Sequence, residues 1–326
     1  PRDLPSELGI YYNDTRYLNV WESLINGKRP VPLAQELRHS GTTWVISMTN
    51  KDLDPLEQSP AIPRDTFLIR RILSLHQDSL FEILTLRNFS GAPKLIQIEN
   101  WAGANFEDLF EVRGLTRSNR GRQLPPEGGP DQVMSYLGLD QHTRKTHIKR
   151  LYDSQKIRHS PHLMGNFSRH ELGPKEFVTL RTHVSFDQRI APVYFGEAFE
   201  SLDAGTMMKL ASERRSSKLF FDLKIETDHA ILNRSIENAK TDLEMLITQE
   251  ESGDYYPYAG IPWFSAPFGR DGLISAYQML PWCPELSRGV LDFVFGHLGR
   301  PLQPFTDEEP GKVFHELRRG EMARLK

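Results

Sequence analysis

The chain has 326 residues, 38% hydrophobic and 25% charged, with a formal net charge of -3 and one cysteine, Cys283. That length can bury one or two sizeable cores, and so small a charge gives no electrostatic case for nucleic acid as a partner. A single cysteine excludes an internal disulfide and a cysteine-rich metal site and fits a reducing compartment, while no apolar run reaches the roughly 18–20 residues of a membrane-spanning helix.

No signal peptide is visible. The chain opens on Pro1 rather than Met, which leaves room for a removed segment upstream. A cytoplasmic location is the expectation.

The first informative stretch is "LGIYYNDTRYLNVWESLINGKRP", residues 8–30. Asn13-Asp14 is a turn pair, and Asn26-Gly27 is a strong hairpin signal between strands. Tyr11, Tyr17 and Trp21 read as packing residues, and Asp14 with Arg16 as a buried pair at a domain junction. Residues 42–48, "TTWVISM", place Trp44, Ile46 and Met48 on one face at period two. Residues 67–75, "FLIRRILSL", do the same with Phe67, Ile69, Leu73 and Leu75. The basic stretch 112–122, "VRGLTRSNRGR", is rich in Gly, Ser and Asn and reads as a solvated loop. In 175–186, Val178, Leu180, Val184 and Phe186 alternate with Thr179, Arg181, His183 and Ser185. Period two means a strand with one buried face. The turn clusters "NFSGAPK", "PPEGGPD" and "HELGPKE" recur between these runs, which predicts an antiparallel β-sandwich rather than βαβ units.

The pattern changes near residue 226. Leu232, Ile236, Ala239, Leu243 and Leu246 recur at spacings of four and three, an amphipathic helix capped by Thr227 or Asp228. A second helix is expected from about Arg270 to Leu280, and a third from Pro284 through "ELSRGVLDFVFGHL". A Pro-rich loop follows, and "VFHELRRGEMARL" reads as a fourth helix. The chain therefore divides into a β-domain, 1–225, and a helical domain, 226–326, with no internal repeat.

Three constellations could carry chemistry. In "GIPWFSAPFGRDGL", residues 260–273, Trp263, Phe264 and Phe268 with two prolines make a stiff aromatic wall of the kind that stacks a sugar ring. Arg270 adds a planar fork of donors. Asp271 adds two acceptors at a helix N-terminus, where the dipole favours a carboxylate. The other reading has the two merely capping a helix and pairing with each other, and the residues alone leave both open. The second constellation, 306–322, sets Asp307, Glu308 and Glu309 before a Pro-Gly turn, then Lys312, His315, Glu316, Arg318, Arg319 and Glu321. His315-Glu316 lacks the second histidine of a zinc-binding helix, so no metal is expected; Glu308 and Arg319 read as solvated charges. The third is the turn-rich stretch 8–30, read as structural. No phosphate loop, nucleophile elbow or Cys/His couple is present, and no cofactor is expected.

Together these segments resemble one family. "YYNDTRYL", "YPYAGIPWFSAPFGRDGLISA" and "DEEPGKVFHELRRGEMA" look like the motifs of bacterial and archaeal glycogen debranching enzymes, the amylo-alpha-1,6-glucosidase-like proteins, in order from Leu8 to Ala323. The resemblance implies an N-terminal antiparallel β-sandwich of supersandwich type, followed by the first helices of an (α/α)6 barrel. It implies that Arg270 and Asp271 hold glucose hydroxyls, with Trp263, Phe264 and Phe268 lining that end of the barrel and Glu309, Lys312 and Glu316 continuing the pocket. An α-glucan or oligosaccharide is the implied partner. A complete barrel has twelve helices and this chain supplies about four. The acid and base of the inverting reaction are therefore expected beyond Lys326, with Asp271 and Glu316 only weak catalytic candidates. On this basis the chain is part of an inverting α-1,6-glucosidase, inactive alone. The other readings are a non-catalytic glucan-binding or assembly module, and a related trehalase-like or glycosylglycerate-type hydrolase.

Overall fold

The computed structural model describes residues 7–187 and 224–325, apart from 39–40, 58, 77–78, 128–130, 151, 153–155 and 161. These residues fall into two compact units, one ending at 187 and the other beginning at 224. The turn cluster expected at 125–131 lies partly outside the described residues.

The first unit opens with a hairpin of β1 (Ile10–Tyr12) and β2 (Thr15–Leu18). Asn13 and Asp14 turn it with φ of 45° and 59°, the left-handed pair that matches strand twist in a two-residue loop. Next come β3 (Val20–Ile25), β4 (Val31–Arg38), β5 (Thr43–Thr49), β6 (Phe67–His76), β7 (Ser79–Asn88) and β8 (Lys94–Gly103). The short helix α1 (Leu109–Val112) follows, capped at Asp108 with Glu111 reaching back to the cap nitrogen. The unit closes with β9 (Arg122–Gln123), β10 (Asp131–Leu137), β11 (Thr143–Arg150), β12 (Lys156–Ser160), β13 (Leu163–Leu172) and β14 (Phe177–Phe186).

The strands build two antiparallel sheets. Eight lie in the order β4-β5-β6-β7-β14-β11-β10-β9, and four in the order β12-β13-β8-β3. Facing residues of the two sheets make the core. Ile25, Ile96, Ile98 and Leu172 meet Phe67, Ile69, Leu84 and Leu180. Farther along the sheets, Ala102 and Met164 meet Met134, Ile148 and Val184. Burial of these alternating side chains is the main force holding the sheets together.

Asn26-Gly27 turns as expected, with Ile25 and Lys28 exchanging backbone hydrogen bonds of 2.9 Å. The strands on either side do not pair, however, because β3 joins the small sheet and β4 the large one. The face carrying Trp44 and Met48 is only partly covered: Ile46 is buried but Trp44 is 42% exposed. The inner faces of β4 and β5 continue past the β3 edge of the small sheet. Arg16 is buried and pairs with Glu107, an ionic partner on the loop before α1 rather than in its own turn. The basic stretch at 112–122 is tied down internally: Arg117 and Arg120 both pair with Glu111.

The second unit holds α2 (Ala230–Leu246), a small hairpin of β15 (Ile247–Gln249) and β16 (Tyr255–Pro257), α3 (Gly269–Met279), α4 (Pro284–Gly296) and α5 (Glu321–Arg324). The cap of α2 is His229, which accepts from Leu232 N at 3.3 Å, rather than Thr227 or Asp228. Thr227 is occupied by Asn233, which accepts from its hydroxyl and donates to its carbonyl. Helices α3 and α4 pack through Ala276, Leu286, Val290 and Phe293, and Ser287 Oγ donates to Ala276 O at 2.7 Å.

The expected fourth helix over 313–325 is reduced to α5. Residues 313–319 run extended, because their backbone bonds go to the loop before α3. Gly269 N donates to His315 O and Leu317 N to Pro267 O. Among the described residues the helices do not close a barrel; no helix is long and apolar enough to cross a membrane.

Candidate functional site

The start of α3 is shaped by two close approaches. A Cβ on Gly269 would lie 2.2 Å from Phe314 O, and one on Gly272 would lie 2.1 Å from the Tyr256 hydroxyl. Only glycine lets the returning segment 313–315 and the ring of Tyr256 press against this helix turn. Tyr256 is fully buried and donates to Phe268 O at 2.8 Å. Burial, then the nearby charges of Asp271 and Glu250, push its phenol well above the usual range.

This turn presents Arg270 and Asp271 to a pocket of about 430 Å³, whose other walls are Leu273, Ile274, Val313, Phe314 and His315. Arg270 and Asp271 are 3.8 Å apart at closest, with side chains 82% and 42% exposed. An ion pair so long and so wet contributes little, about 0–1 kcal/mol, so neither group is spent on the other. Asp271 stands in the first turn of α3, where the dipole favours its charge. The arrangement offers a fixed cation with several donors, a carboxylate acceptor and an imidazole over an apolar floor. That combination suits a neutral ligand rich in hydroxyls.

The other sequence-predicted site residues lie apart from this pocket. Phe268 is buried beneath it, edge-on to Phe264 and to His315 at 5.8 Å each, with the Arg318 guanidinium 5.3 Å from its ring centre. It supports the pocket rather than lining it. Trp263 is half-buried, and its carbonyl accepts from Arg318 at 2.9 Å. Glu316 takes a hydrogen bond from Arg318 Nε at 2.9 Å and bridges to the backbone of Phe268. Lys312 pairs with Asp307 at 2.8 Å and with Glu309 at 3.6 Å in its own loop. Glu308 accepts from Arg300 N at 2.9 Å. Arg319, expected to be solvated, pairs with buried Glu250, which also accepts from the Tyr258 hydroxyl.

His315, read from the sequence only as half of an incomplete metal motif, stands on the pocket wall. Its signal was the Pro310-Gly311 turn: a chain reversal there returns 313–315 as an extended strap beside the loop before α3. Among the described residues no three His, Cys, Asp or Glu side chains group as metal ligands would.

A family model described as the N-terminal domain of some glycogen debranching enzymes matches residues 3–181. No curated protein is similar enough in sequence to count as a match. Among solved structures, a putative kojibiose phosphorylase from the human microbiome aligns over 87% of this chain at 10% identity and a TM-score of 0.60, a likeness of fold. The alignment takes in 39% of that protein, so this chain spans well under half its length. A galactose mutarotase-like protein from Lactobacillus casei aligns over 47% of this chain and 72% of its own, at 8% identity and a TM-score of 0.29. A putative aldose 1-epimerase from Escherichia coli aligns over 49% and 68%, at 7% identity and a TM-score of 0.26.

Proposed function

Because the chain belongs to the family of the N-terminal domain found in some glycogen debranching enzymes, we propose that it is part of an α-glucan-processing glycoside hydrolase and that its helical unit grips one glucose residue of the substrate. The observation that carries this reading is the convergence of Arg270, Asp271 and His315 on one apolar-floored pocket. A pyranose presents hydroxyls around its edge and C–H groups on its faces. Arg270 donates to hydroxyl oxygens, Asp271 accepts from hydroxyl protons, and Leu273, Val313 and Phe314 meet the apolar face.

Asp271 is a clamp in this reading, not the catalytic acid. Inversion at a glycosidic carbon needs two carboxyl groups roughly 6.5–9.5 Å apart with a water between them. The pocket wall contains one carboxylate, Asp271. Glu316 is held by Arg318 and by the bridge to Phe268, so it is a poor second. The reaction served is hydrolysis of an α-1,6-linked glucoside. Its acid and base come from outside the pocket walls described here. The exposed apolar side chains Tyr277 and Phe295 fit faces that a ring of helix pairs would cover.

The test is glucose release from a branched dextrin by this chain alone. No release above buffer is expected. Release that disappears on Asp271→Asn and on Glu316→Gln would overturn the clamp assignment and make that pair the acid and base.

A further inference from the structure

The first unit contains a larger cleft, of about 1150 Å³, that the reading above does not use. It lies where the inner faces of β4 to β7 run past the β3 edge of the small sheet. Strand register sets Leu37, Trp44, Leu73 and Glu82 in one row across four strands, with Ile46, Arg71 and Leu84 in the next. Residues directly opposite across strands share a face, and all of these but Glu82 line the cleft. β3 supplies the facing wall with Trp21.

The charges in the cleft are balanced. Arg71 Nε donates to Glu82 Oε1 at 2.5 Å, and Trp21 Nε1 donates to the same oxygen at 3.2 Å. Arg29 pairs with Glu22, and Arg16 with Glu107. Each arginine has a carboxylate, so the cleft selects neither an anion nor a cation. Two polar atoms remain unmatched. Arg71 Nη2 and Asn19 Oδ1 are buried with no hydrogen-bond partner among the described residues. A buried donor and a buried acceptor left unpaired are unfavourable, and both belong to residues that line this cleft. Two indoles, apolar walls and no net charge are the chemistry of a carbohydrate site, while the two unmatched atoms are themselves buried and reach a ligand only if their side chains turn. The volume lies at or above the roughly 300–1,000 Å³ of small-molecule pockets, which gives room for more than one sugar ring.

We infer that this cleft is a second α-glucan site, with the exposed face of Trp44 stacking on a glucose ring. The inference rests on the reading that the ligand of this chain is an α-glucan. It places glucan binding in the β-sandwich as well as in the helical unit, so that the sandwich holds a chain of the polymer while the pocket at Arg270 takes a terminal residue.

The experiment is calorimetric titration of the whole chain with maltoheptaose. Trp44→Ala is the main variant, because Trp44 is 42% exposed and removing it breaks none of the three ion pairs. Circular dichroism checks that the fold is kept, and Trp44→Phe provides a conservative rescue. Trp44→Ala is expected to weaken maltoheptaose binding tenfold or more, Trp44→Phe to retain most of it, and Asp271→Asn to leave this component in place. Binding lost in Asp271→Asn and untouched in Trp44→Ala would overturn the cleft site while leaving the Arg270 pocket standing. Binding lost in Trp44→Ala with Asp271→Asn unchanged would uphold the cleft, and it bears on the cleft alone, because the Arg270 pocket is read by a ligand carrying an α-1,6-linked glucose. No maltoheptaose binding by the unmodified chain, accompanied by Trp44-dependent self-association in sedimentation, would overturn the cleft site and make the face a contact between copies of the chain.

Discussion

Gly272 shows how tightly the pocket is tied to its support. The glycine faces the hydroxyl of Tyr256, a ring with no exposed surface. Any side chain there must displace the ring or break its 2.8 Å bond to Phe268 O. Gly272→Ala is expected to cost about 1–3 kcal/mol by overpacking, read as a lowered urea midpoint, and to weaken sugar binding because Phe268 and the strap at His315 shift with it. An unchanged midpoint would mean that the turn has slack. In the sequence Gly272 is one of three glycines in residues 260–273 and nothing local sets it apart. Its reason is nonlocal, since Tyr256 lies 16 positions upstream. Arg270 and Asp271 were legible because a charged pair at the start of an apolar helix is a local pattern. Their partner His315 was not, because 45 residues separate it from Arg270 and only the fold joins them.

At the scale of elements, strands were read more securely than helix ends. Period two in 67–75 and 175–186 became β6 and β14, since alternate burial against one facing sheet leaves a strong imprint. The segment 313–325 failed for the opposite reason. Val313, Phe314 and Leu317 are apolar at spacings that a helix or an extended strap can both use, and hydrogen bonds to Pro267 and Gly269 decided for the strap. The Asn26-Gly27 signal gave the turn but not the pairing, because local turn chemistry carries no information on which sheet each strand joins.

Strand β14 also carries a pH dependence. His183 stacks on Phe81 with ring centres 4.6 Å apart. Burial, with help from Lys149 and His147, pulls its imidazole down from 6.5 to about 4. The unfolded chain therefore takes up the proton first. The stability contributed by neutral His183 is complete above about pH 6.5 and is lost as pH falls toward about 4, by at most about 3 kcal/mol. His147 and His170 are lowered too, chiefly by burial, and act in the same direction. Urea midpoints measured at pH 7 and pH 5 should differ by less in His183→Asn than in the unmodified chain. An equal difference would show that this histidine does not titrate with unfolding.

For the molecule as a whole, the change of pattern near residue 226 announced a β unit followed by a helical one, because burial leaves period two in one part and 3.6 in the other. The ordered run of motifs gave the family. What neither gave was the cleft beside Trp44. From the sequence, Trp44, Ile46 and Met48 form one buried face, and only the unequal widths of the two sheets uncover part of it. Under the two proposals each unit carries one sugar-facing surface, and the chain holds substrate rather than breaking a bond.

A hold of Arg270 and Asp271 on a glucose residue, as proposed, is measured by calorimetric titration with a trisaccharide carrying one α-1,6-linked glucose, comparing the unmodified chain with Arg270→Ala and Asp271→Asn. Both side chains are exposed and weakly paired, so the variants should fold normally. Measurable binding is expected, weakened at least tenfold by each substitution, equivalent to about 1.4 kcal/mol or more. Binding of equal strength in all three proteins would remove the clamp.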